Sequence, residues 1–143
     1  MTGLPVPVPD VRVRVQYVGA CGPYAHIVAQ FEPPGPDGGL ELLSAVPEAR
    51  LPAEYLPALR EGLLEGLGGV ACAVLITDGT FHEVDSSEFG YKIAGKQAGR
   101  AALIGAGLLP PAEAGALRWA TWPGRLLPRA RRLPPSGYSR RPG

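Results

Sequence analysis

Between Asp78 and Lys96 the chain reads DGTFHEVDSSEFGYKIAGK, a run that joins the end of an apolar stretch to a histidine loop and the start of a helix. An Asp-Gly pair tolerates positive φ and favours a tight turn, so the preceding apolar run is expected to be a strand that reverses at Asp78 and Gly79. A loop with His82 follows. Asp85 and Glu88 stand at capping-box spacing, and Asp85 or Ser86 is placed to accept a hydrogen bond from the free N–H groups of a first helical turn. Phe89, Ile93, Ala94 and Ala98 recur at three-to-four-residue spacing, which gives the helix an apolar stripe to lay on a sheet. The helix is expected from near Ser86 to about Ile104, with Gly105 and Gly107 ending it. Gly90, Gly95 and Gly99 each cost it about 1 kcal/mol relative to alanine, which points to close packing rather than to intrinsic helix strength.

The other elements follow from periodicity. Gly3 to Pro9 alternates proline with apolar residues and reads as an extended lead-in. Val11 to Val18 alternates strictly, with Val11, Val13, Val15 and Tyr17 on one face and Arg12, Arg14 and Gln16 on the other, the pattern of a half-buried strand. After a loop from Gly19 to Ala25, His26 to Phe31 reads as a second strand antiparallel to the first. Pro33 to Gly39 is turn-rich, and Leu40 to Val46 is a short third strand. Pro47 to Leu67 contains the first helix. Leu56, Leu59, Leu63, Leu64 and Leu67 form its apolar face, Pro57 sits in its first turn, and Gly68-Gly69 stops it. Val70 to Thr77 is an unbroken apolar run, expected to be a strand covered on both faces or buried at the sheet centre. The order β-β-β-α-β-α packs as an α+β two-layer sandwich, one mixed four-stranded sheet with two helices on one face.

Composition narrows the class. The chain has 143 residues, 45% of them hydrophobic and 19% charged, which suits one compact domain with appendages. No run approaches the roughly 18 apolar residues of a membrane span, and no signal-type segment follows Met1. Cys21 and Cys72 are too few for a disulfide framework. A cytoplasmic protein without membrane contact is therefore expected. The net charge of +1 hides an asymmetry. Up to Leu109 acidic residues outnumber basic ones, whereas beyond it Arg118, Arg125, Arg129, Arg131, Arg132, Arg140 and Arg141 face only Glu113. The expected division is a Pro-rich lead-in over 1–10, a folded domain over 11–109 and a basic Pro/Arg-rich tail over 110–143. Such a tail suits nucleic-acid phosphates through charge and counterion release, with Arg125, Arg129, Arg131 and Arg132 as candidate contacts. A solvated, disordered extension needs no partner and accounts for it equally well.

Three words of the sequence resemble domain IV of translational GTPases of the elongation factor G type, including their ribosomal-protection relatives. The first is FHEVDSSE from Phe81 to Glu88 with the helix start FGYKIA after it. The second is GPYAHIV from Gly22 to Val28, followed by Phe31-Glu32-Pro33, and the third is PAEYLPAL from Pro52 to Leu59. The resemblance spans Val11 to Leu109 and implies a left-handed βαβ crossover shared with a ribosomal-protein domain 2-like fold, opposite to the usual hand. It also implies a stand-alone domain without the GTPase part, no cofactor and no catalysis, acting as the arm that enters the decoding site of the small ribosomal subunit. Carried over by position, the ribosome- or RNA-contacting tip loops hold Gly22, Pro23, Tyr24 and His26 on one side and Gly79, Thr80, Phe81, His82 and Glu83 on the other. Backbone amides at glycines, an aromatic ring and an imidazole suit recognition of RNA shape and phosphate. The implied partners are the small subunit or another structured RNA, and a separate GTPase-bearing protein. The alternative is a folded remnant or protein-interaction domain of a split translation factor.

Other chemistries fit less well. Gly90 to Gln97 has the G-x-x-x-x-G-K frame of a phosphate loop, but Gln97 stands where a magnesium-binding Ser or Thr belongs and the run lies inside a predicted helix. Cys21, His26, Cys72 and His82 match no compact zinc spacing. His82, Asp85 and Ser86 resemble a triad in composition, yet helix capping explains the latter two. His82 itself could be a solvent-facing hairpin residue. Trp119 and Trp122 could stack on bases or pack back on the sheet as an edge strand.

Overall fold

The computed structural model describes residues 3–16, 24–82 and 86–125. Strand β1 runs Val8–Gln16, β2 Tyr24–Glu32 and β3 Leu40–Ser44. A 3-10 turn at Ala53–Tyr55 leads into helix α1, Leu56–Leu67, and then strand β4, Cys72–Thr80. Helix α2, Glu88–Gly105, is followed by a 3-10 turn at Pro111–Ala116 and a short strand β5, Ala120–Thr121. Among the described residues these make one sheet in the order β3-β4-β2-β1-β5, parallel only between β3 and β4. The inward residues of the sheet and of both helices form one core, including Val11, Val13, Val15, Ile27, Phe31, Ile76, Leu59, Leu63 and Tyr91.

The α+β two-layer architecture is the expected one, with a fifth strand in place of four. That strand comes from beyond Leu109. Arg12 faces Thr121 and Val13 faces Ala120 across β1, and Leu117, Ala120 and Trp122 are buried. The tail drawn from residue 110 therefore starts too early, because its first segment supplies core apolar area. The Pro-rich lead-in is likewise part of the fold. Leu4 is buried and its amide donates to the Ala71 carbonyl at 2.8 Å, while Val8 opens β1. A bulge at Asp10, with φ 53°, absorbs one residue so that Val8 and Val11 both point inward.

The expected turn at Asp78-Gly79 is absent, and both residues lie inside β4. The register slips between Val28↔Asp78 and Ala29↔Ile76, so Thr77 is the extra residue of a bulge. The slip moves the inward position from Ile76 to Gly79 and lets pairing continue to Thr80 opposite His26. Glycine is needed at 79 for close approach, since a Cβ would meet the His26 carbonyl oxygen at 3.0 Å and Leu51 at 3.3 Å. Strand β4 is covered on one face only, leaving Leu75 and Thr77 exposed on the other. β2 flanks it on one side and β3 on the other.

The helices meet at glycines. A Cβ on Gly62 would stand 2.1 Å from the Lys92 carbonyl oxygen, one on Gly66 2.2 Å from that of Lys96, and one on Gly95 2.3 Å from that of Leu59. No side chain fits between the two backbones, so the four residues Gly62, Gly66, Gly95 and Gly99 set the crossing. Lys92–Glu61 at 3.0 Å and Lys96–Glu65 at 3.6 Å line its solvent rim. Leu64 and Phe89, both expected in apolar stripes, are exposed at 49% and 64%, because small residues and Tyr91 fill the interface instead. Helix α1 ends as expected at Gly68, which has φ 58°. The cap of α2 is Ser87, whose side chain accepts from the Gly90 amide, one residue beyond the position expected at Ser86. Asp85 lies outside the described residues.

Gly95→Ala should lower stability by about 2–3 kcal/mol in urea denaturation, since forcing the helices apart outweighs the gain in helix propensity. Gly115→Ala, with nothing within 4 Å of its Cβ position, should be neutral or slightly stabilising, and equal losses at both positions would remove the helix contact as the cause.

Candidate functional site

Strand β2 begins, β4 ends and α2 begins at one end of the sheet, and their junction gathers polar and aromatic side chains. Thr80 lies at the centre. Its hydroxyl is 2.9 Å from Tyr24 Oη and 3.0 Å from His26 Nδ1, and Arg14 Nη1 donates to Tyr24 Oη at 3.0 Å. Arg14 donates to Tyr24, and the Thr80 hydroxyl is shared between Tyr24 Oη and His26 Nδ1, so the His26 tautomer sets the direction of the last two bonds. Burial, and then the positive charge of Arg14, lower the His26 pKa from its ordinary 6.5.

Below this row, backbone contacts hold the loop after β4. Ser86 Oγ accepts from the His82 amide at 2.7 Å and donates to the Tyr24 carbonyl at 3.2 Å, while the Ser86 amide donates to the His82 carbonyl at 2.8 Å. Tyr91 Oη donates to the Thr80 carbonyl at 2.7 Å from inside the core, and its ring stacks on Tyr55 at 4.6 Å. The exposed His82 ring stands edge-on to Tyr24, with centroids 6.1 Å apart. Phe81 turns the other way, toward Tyr55 at 6.3 Å, and is partly buried against the core.

The structure thus brings Tyr24, His26, Thr80 and His82 together, but it places Gly79 inside β4 and turns Phe81 toward the core. Gly22, Pro23 and Glu83, like Arg129, Arg131 and Arg132, lie outside the described residues. Arg125 has a structural task instead of a solvent-facing one. Its guanidinium donates to the carbonyls of Leu117, Ala120 and Ala114 and lies over Trp122 at 5.2 Å, fixing the segment that carries β5. Sequence reading missed Arg14 as a member of the site, although strand alternation puts it on the same outward face as Tyr24 and His26 once their pairing is known.

Competing chemistries find no geometry. Cys72 is fully buried on the inner face, with burial pushing its thiol up to about 11, whereas His26 lies on the outer face, so the two cannot share a metal. Among the described residues no group of three His, Cys, Asp or Glu side chains could hold one. Ser86 Oγ is spent on backbone partners, which removes the suggested nucleophile. The phosphate-loop frame lies within α2, where the Gly90 amide is capped by Ser87 and amides from Tyr91 onward serve the helix. No helix among the described residues is long and apolar enough to cross a membrane.

Comparison with known proteins places the same stretch in one family. The family model for elongation factor G, domain IV, matches residues 7–107. Elongation factor G of Fervidobacterium nodosum is 36% identical over 105 residues, covering 66% of this chain and 15% of that protein. A crystal structure from Thermus thermophilus shares the fold with a TM-score of 0.51 and 23% identity, covering 67% of this chain and 16% of the other. The chain therefore spans about 15% of the length of the elongation factor it matches.

In an NMR titration the His26 ring should show a midpoint below 6.5, and Arg14→Gln should move it upward by removing a positive neighbour. With a native pKa below the unfolded one, the corresponding stability is present above 6.5 and falls as pH drops through the native value. A midpoint at or above 6.5 would contradict the lowering by burial and by Arg14. Ser86→Ala should speed hydrogen exchange at the His82 amide, since that amide loses its acceptor, with little change in core amides.

Proposed function

The chain belongs to the elongation factor G domain IV family, and from that membership we propose that it is a non-catalytic, translation-related module that binds the small ribosomal subunit or another structured RNA. The family match over residues 7–107 carries this reading. The end of the sheet is the contact surface. It presents the exposed His82 imidazole and the Tyr24 edge, with the His26 ring beside them, on backbone that Ser86 and Tyr91 hold in place. Rigid rings and outward donors fit sugar, phosphate and unpaired bases without reading a sequence. Gly22, Pro23 and Glu83 complete the two tips in this reading, and Arg129, Arg131 and Arg132 add charge that holds RNA nonspecifically. Such a module works in the cytoplasm by occupying a site or by joining a GTPase-bearing partner.

Co-sedimentation with purified small subunits tests the reading. The intact chain should pellet in a salt-sensitive way, and His82→Ala should weaken binding about tenfold while the fold is retained. Replacing Arg129, Arg131 and Arg132 by glutamine should lower the salt sensitivity and leave the His82 effect in place. Failure of the intact chain to pellet at low salt would refute the proposal and favour a protein-interaction domain.

A further inference from the structure

No helix of the described residues packs on the outward face of the sheet, and the charge of that face is unevenly distributed. Register places side chains in rows across the strands. Arg14 pairs with His26, which pairs with Thr80, and the Arg14 amide donates to the Trp119 carbonyl just before β5. In the next row Thr121, Arg12, Val28 and Asp78 follow one another. Arg12 and Arg14 are exposed, and no carboxylate of the described residues lies within ion-pair distance of either. Exposed Arg118 adds a third such guanidinium, 4.5 Å over the half-buried Trp119 ring.

The described carboxylates of this face form no ion pair with these guanidiniums. Asp78 is taken by Arg50 at 2.9 Å, and Asp10 stays anionic while it accepts from the Gln30 amide at 3.1 Å. Glu32 stands opposite Ala73, at the far end of β2 from Tyr24. Guanidinium charge and rings therefore share the half of the face nearest the tip. Alternate residues on a strand are about 7 Å apart, so Arg12 and Arg14 are spaced to hold successive phosphates of an extended nucleotide chain.

We propose that this half of the open sheet, over β5, β1 and the start of β2, binds a single-stranded RNA segment, with Arg12, Arg14 and Arg118 on phosphates and Trp119 and Tyr24 against bases. The inference rests on the reading of the module as RNA-binding, and it moves the main contact from the tip to the sheet face. Interleaved arginines and rings favour a nucleic acid over an acidic peptide, because unpaired bases offer π-faces that carboxylates lack. The strand crosses the face and runs off it at Tyr24 and His82, which makes the tip the end of a longer track.

The test is titration of a fluorescein-labelled ten-nucleotide oligouridylate with the full chain, on a background where Arg129, Arg131, Arg132, Arg140 and Arg141 are glutamine. Binding should quench the tryptophan emission of Trp119, a change absent in Trp119→Phe. Arg12→Glu with Arg14→Glu should weaken binding at least tenfold and reduce the slope of log affinity against log salt by about 1.4, two phosphates at about 0.7 each. The corresponding double lysine variant should retain most of the affinity, and Arg118→Glu should weaken it independently, with circular dichroism melts confirming the fold. Failure of oligouridylate binding by a chain that still pellets with small subunits would overturn this proposal alone, whereas failure of both would overturn the reading it rests on. Absence of binding at low salt, equal affinity of the double glutamate variant, or full displacement by polyglutamate of the same charge would each overturn the proposal.

Discussion

The fold depends on two helices being allowed to touch backbone to backbone. Gly62 and Gly66 on α1 meet Gly95 and Gly99 on α2, and three of the four have a facing carbonyl oxygen where a Cβ would have to be. Close approach gives dispersion contact between the two backbones in place of interdigitated side chains. It brings Tyr91 under the end of the sheet and α2 across β1 and β2. The cost is four residues of poor helix propensity, which the buried faces offset. Salt bridges at the rim are exposed and add orientation more than energy.

From that contact the site follows. Tyr91 is fully buried, and its hydroxyl reaches the Thr80 carbonyl from the inside. On the outside the Thr80 hydroxyl takes Tyr24 and His26. One residue thus links the core to the polar row, and the bulge at Thr77 is what lets Thr80 remain in the ladder opposite His26. Ser86, expected as a helix cap, ties the loop after β4 back to Tyr24, and Ser87 does the capping.

The pattern of polar and apolar residues was legible wherever one periodicity held without interruption. Val11, Val13 and Val15 alternate inward as read, and Leu59, Leu63 and Leu67 line the buried side of α1. The glycines of α2 were legible as close packing, though not as a partner to Gly62 and Gly66. Reading failed where one extra residue shifted the phase. Asp78-Gly79 carries the local chemistry of a turn, but pairing with β2 supplied hydrogen bonds along the strand and kept the chain extended. At the margins, the prolines before Val8 and after Leu109 suggested appendages. Leu4, Leu117 and Trp122 are nevertheless core residues, because the sheet edges needed apolar cover.

Local period and short words were enough for the α+β class, the order of the main elements, the two-helix layer and the family, since both survive without coordinates. Tertiary structure alone decided the fifth strand, the structural role of Arg125, the inward turn of Phe81 and the union of Arg14, Tyr24, His26 and Thr80 in one row. Those outcomes rest on register, and register is fixed by contacts between residues far apart in the chain, such as His26 with Thr80, which no local pattern encodes.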